Sequence, residues 1–156
     1  MAIRAACVRM GSIRLSLAMI LALLLVPGYV VAPALFAKLD AHTAGMVAGS
    51  IFHISNLAIL MLAVTVAAFW LRTASVGRLN WSFLLIVVAL VCANEFAISP
   101  VMQEMKDAVG NMSALPKDHP QRVQFGMLHG ISAVVHLLAS GFAALLVAWG
   151  GARQDS

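Results

Sequence analysis

The chain has 156 residues, of which 62% are hydrophobic and 10% charged, and its mean hydropathy is +0.96. That balance excludes an ordinary soluble domain and leaves an integral membrane protein in contact with a lipid bilayer. The net charge of +4 is dispersed over residues at the ends of apolar runs. It therefore marks topology and excludes a nucleic-acid surface.

In chain order, residues 1–12 are a basic leader, and four apolar runs follow at about 13–37, 48–71, 81–99 and 125–149. Each is near or above the roughly 18 to 20 residues that cross about 30 Å of hydrocarbon as a helix. The runs are too long for barrel strands, and a helix satisfies its own backbone, so the expected fold is all-α: a four-helix membrane bundle over residues 13–150. Residues 151–156 form a short tail. The first run, "LSLAMILALLLV" before Pro27, also fits a cleaved signal peptide, but it continues through "YVVAPALFA" further than a signal core needs. Arg4, Arg9, Arg14, Arg72, Arg78 and Arg153 face one acid, Asp155, on one side. Lys38, Lys106, Lys117 and Arg122 are offset by Asp40, Glu104, Asp107 and Asp118 on the other. The positive-inside rule then puts both termini in the cytoplasm, in an inner (plasma) membrane. Trp70, Trp81 and Trp149 cluster at the same inner interface.

The two halves resemble each other. "VVAPALFAKLD" closes the first run and "FAISPVMQEMKD" the third, with prolines at Pro33 and Pro100; each is followed by a run with an early histidine, His53 or His129. This reads as a duplicated helix pair, a parallel repeat about the membrane normal. The prolines kink or end a helix, or free carbonyls to line a site. Between the third and fourth runs, "VMQEMKDAV" is amphipathic, either lying along the surface or extending the third span. Asn111 begins a glycosylation sequon, and Cys7 and Cys92 are isolated thiols with neither disulfide nor zinc spacing.

Polar residues inside the runs carry the functional expectations. His53 and Asn56 share a face of the second run, Asn94 and Glu95 lie near the outer end of the third, and His129, Ser132 and His136 share a face of the fourth. Glu95 is the most expensive, unless it is protonated, faces water, or bonds to His129 or His53. Three readings compete. In the first, these groups only hold the helices together, aided by Gly45, Gly49, Gly126, Gly130 and Gly141. In the second, His53 and His129 are metal ligands, for copper with thioethers such as Met46, Met102, Met105, Met112 and Met127, or haem binds at His129 or His136 in an oxidoreductase. In the third, Glu95, His53, His129 and His136 carry protons or a small substrate. Walker, HExxH and GxSxG motifs are absent, so a non-enzymatic protein is favoured over an enzyme. A homo-oligomer or a membrane-complex partner remains open.

Pro33–Phe36 followed by Ala44-Gly45, Ser99-Pro100, and "FGMLHGIS" at Phe125–Ser132 resemble the transmembrane protein 205-like family, known in bacteria as a domain of unknown function. The resemblance covers about Leu15 to Val147. It implies a four-span membrane protein without established enzymatic activity, whose eukaryotic relatives are associated with resistance to platinum drugs. The layout is similar, more distantly, to four-helix copper-resistance and haem-binding membrane proteins, although no dense Met/His copper motif is present.

Overall fold

The structure is a computed structural model that describes residues 2–73 and 76–150, with side chains from residue 7 to 149. The Arg4 side chain, Arg153 and Asp155 of the charge count lie outside the described residues. Helix α1 (Ala2–Val26) passes through a widened π turn (Pro27–Val31) into α2 (Ala32–Lys38). Asp40 then caps α3 (Ala41–Leu71), accepting the backbone N–H groups of His42 and Thr43 at 3.1 and 3.0 Å. Helix α4 (Arg78–Cys92) passes through a second π turn (Ala93–Ile98) into α5 (Ser99–Val109), and α6 (Pro120–Gly150) closes the chain.

Four helical stretches, 7–38, 41–71, 78–109 and 120–149, are long and apolar enough to cross a membrane. They are spans 1 to 4 below. Their 30 to 32 residues give helices of roughly 45 Å, longer than the hydrocarbon needs. In spans 2, 3 and 4 most of the extra length lies at the loop end, away from the termini, and in span 1 it lies at the N-terminal end. The amphipathic segment after Pro100 is thus an extension of span 3, because the backbone stays helical through Ile98 and Ser99.

Both π turns have a local cause. Pro27 has no N–H to give the preceding turn, and a proline follows each π turn at the second position of the next helix. The helix absorbs this by widening rather than breaking: Ala32 N–H reaches the Pro27 carbonyl and Ser99 N–H reaches that of Asn94, each five residues back.

Span 1 packs on spans 2 and 4, and span 4 on span 3; the seam between spans 2 and 3 is the most sparsely packed. The half of the bundle nearer the termini is a closed apolar core in which Ile20, Leu24, Ile59, Val66, Val87 and Leu146 are under 2% exposed. Trp70 meets Trp81 edge-on at 5.3 Å, closing the seam at that end. The glycines expected to bring helices together do not: a Cβ added at Gly45, Gly49, Gly126, Gly130 or Gly141 would meet nothing within 4 Å. Close packing comes instead from alanines, with Ala44, Ala63, Ala139 and Ala143 nearly inaccessible.

Candidate functional site

The second π turn builds the site. By widening span 3 at Ala93–Ile98 it presents two consecutive polar side chains to different neighbours. Asn94 faces span 4, where its Oδ1 accepts the Ser132 hydroxyl at 2.7 Å. Glu95 faces span 2. Its Oε2 accepts Asn56 Nδ2 at 2.8 Å, and its Oε1 is hydrogen-bonded to His53 Nδ1. His53 and Asn56, three residues apart, share a face of α3, so one helix supplies both partners.

The burial within this cluster is unequal. Glu95 is 6% exposed and Asn56 is buried, whereas the His53 side chain is 60% uncovered by protein. A carboxylate in an apolar span is tolerated when paired or protonated, and both Glu95 oxygens are occupied. Neither a bare Nδ1 nor a carboxylate oxygen can donate, so the His53–Glu95 contact requires a proton between them. That proton sits between a group closed off from the surroundings and one open to them.

A second histidine marks the first π turn. His136 Nε2 donates to the carbonyl of Leu24, three residues before Pro27, at 2.8 Å. The ring lies so close to Gly28 that a Cβ there would fall 2.7 Å from Nε2; Tyr29 and Phe52 flank it, with Phe52 edge-on at 5.3 Å. Phe52 precedes His53, so the two histidine sites share a stretch of α3.

His129 stands apart. It stacks on Phe125 at 6.5 Å, with Lys106 over the same ring at 5.8 Å, and its side chain is exposed. Of the two partners anticipated for Glu95 the structure selects His53. Among the described residues no three His, Cys, Asp or Glu side chains gather as a metal ion needs, so the His53–His129 ligand pair gains no third donor of those types. Gly28, Phe52 and the Leu24 carbonyl escaped the sequence reading. The Pro27-Gly28 pair inside an apolar run was their one visible sign.

Loops join the spans at the end of the bundle away from the termini. Arg122 donates to the Leu115 carbonyl and, at 3.4 Å, to that of Ser113, tying the loop after α5 to α6. Asn111, of the sequon, accepts the Ser113 N–H at 3.0 Å and caps a short 3₁₀ turn.

A family model for DUF4149, a domain of unknown function, matches residues 15–111. The chain belongs to the DUF4149 family. The DUF4149 match takes in both π turns and the Glu95, His53 and Asn56 cluster, and ends before span 4 with Ser132 and His136. No curated protein and no solved structure matches the chain.

Proposed function

We propose that this multi-pass membrane protein binds and releases a proton at the Glu95–His53–Asn56 cluster and uses that site to hold or pass a small ligand, without catalysing a reaction. The observation that carries the reading is the contrast at one hydrogen bond, where a buried carboxylate meets an imidazole open on its other side. Such a pair exchanges protons with its surroundings without exposing the carboxylate. The apolar core between the cluster and the termini supports a site entered from the loop end or the side, not a continuous pore. The charge pattern supports cytoplasmic termini and an inner (plasma) membrane. The Pro33–Phe36 and Phe125–Ser132 motifs support the narrower kinship with the transmembrane protein 205-like family.

Potentiometric titration of detergent-purified protein tests the reading. The parent should show a proton-binding step that is absent from Glu95→Gln and altered in His53→Gln, all three being equally helical by circular dichroism. Superimposable titration curves would sink it.

A further inference from the structure

The Glu95 cluster has one open side, and its chemistry constrains what enters there. Glu95 is the only carboxylate in the four apolar runs. A ligand drawn to it is a cation. A bare metal ion needs several donors to replace its hydration shell, yet among the described residues no three His, Cys, Asp or Glu side chains cluster. An organic cation needs one counter-charge and apolar surroundings. The seam between spans 2 and 3 offers that combination.

The open side faces outward from the bundle, not along its axis. One turn from His53 on α3 lie Gly49, beside which a Cβ would meet nothing, and the exposed Leu57; Met61 continues this apolar face, and the exposed Phe96 adjoins Glu95 on span 3. In a membrane this surface meets lipid. The seam is also the sparsest of the bundle, held at the termini end by Trp70 against Trp81 and at mid-length by the bonds from Glu95 to His53 and Asn56.

We propose that the Glu95 carboxylate is the counter-charge for a lipophilic organic monocation that enters from the bilayer between spans 2 and 3 and displaces the proton shared with His53. This rests on the proton-binding reading above. In the neutral pair His53 Nε2 carries one hydrogen and a second is shared between Nδ1 and Glu95. The shared proton leaves, the imidazole stays neutral, and electroneutrality in a low-dielectric site sets one proton released per cation bound. Other titratable groups on the surrounding elements have different roles. His136 of span 4 is bonded to Leu24, with Tyr29 of span 1 beside it; His129 is stacked on Phe125; Cys92 is a free thiol one turn before Glu95; and Lys106 of α5 lies over Phe125. Of these, His53 alone is bonded to the carboxylate.

The test is equilibrium binding of tetraphenylphosphonium to the whole chain in lipid nanodiscs, with tetramethylammonium as an equally charged ion that stays in water. Tetraphenylphosphonium should bind with proton release. Affinity should weaken with acidification by up to about ten-fold per pH unit, the limit for one-for-one exchange. Binding should fall at least ten-fold in Glu95→Gln and persist in Glu95→Asp, which keeps the charge if the glutamine variant fails to fold. Absence of binding while the Glu95 titration is intact overturns this proposal and leaves the proton site standing. Binding that survives Glu95→Gln overturns it too, and equal binding of tetramethylammonium overturns entry from the bilayer. Loss of the titration itself removes both readings.

Discussion

Glu95 shows how one side chain sets the requirements for its neighbours. A buried carboxylate without partners would cost several kcal/mol, so the helix that faces it must supply donors. Asn56→Ala removes one of them, and the parent should exceed the variant by roughly 1 to 3 kcal/mol in unfolding free energy, measured in detergent by denaturant titration. Gly28 makes the opposite case, because it matters for what it lacks. Gly28→Ala places a methyl group 2.7 Å from His136 Nε2 and should destabilise by about 1 to 3 kcal/mol; the same change in a His136→Ala background should cost far less. Additive costs in that cycle would mean that the imidazole does not occupy the Gly28 cradle. These residues differ in how visible they were. Glu95 and His53 stood out as polar groups in apolar runs, with His129 as an equal alternative partner. The His136 site could not be read because its partners are a backbone carbonyl and a missing side chain. The outward glycines were misread because small residues reveal nothing about which face of a helix they occupy.

At the level of elements, the π turns explain why spans 1 and 3 are alike. Gly28 and Glu95 each lie five residues before a proline, Pro33 and Pro100, and each receives a histidine from a facing helix. One half answers the imidazole with a carboxylate and the other with empty space. On this likeness we propose the duplicated pair with His136, the imidazole at the first π turn, as the counterpart of His53. The turns themselves were legible only as kinks, since a proline does not say whether a helix breaks or widens. Helix α3 depends on Asp40, whose carboxyl is held below its ordinary value of 3.8 by the Thr43 hydroxyl first and then by the Thr43 and His42 backbone N–H groups, against slight desolvation. A depressed carboxylate stabilises the fold above its unfolded pKa and loses that contribution as pH falls through the folded one. Asp40→Asn, which retains a capping oxygen without the charge, should therefore lower the melting temperature at neutral pH and converge with the parent well below pH 3.8. A gap that persists in acid would mean that the ionised cap is not responsible.

For the whole molecule, four apolar runs made the bundle legible, because lipid permits few folds for such a sequence. Which helices touch was not legible, since every run is apolar over most of its surface. The loose seam between spans 2 and 3 is a property of packing, visible only in three dimensions. Orientation has its own test in Cys7, an exposed free thiol near the termini. A membrane-impermeant maleimide should label it in inside-out vesicles and spare it in right-side-out ones; the reverse pattern would invert the topology. The central claim is that Glu95 exchanges a proton through His53, and pH-difference infrared spectroscopy of the carboxyl stretch in the membrane-embedded protein tests it most directly. A reversible band should appear that vanishes in Glu95→Gln and is perturbed in His53→Gln. A carboxyl spectrum unchanged by either substitution would contradict it and leave Glu95 as a fixed tie between two helices.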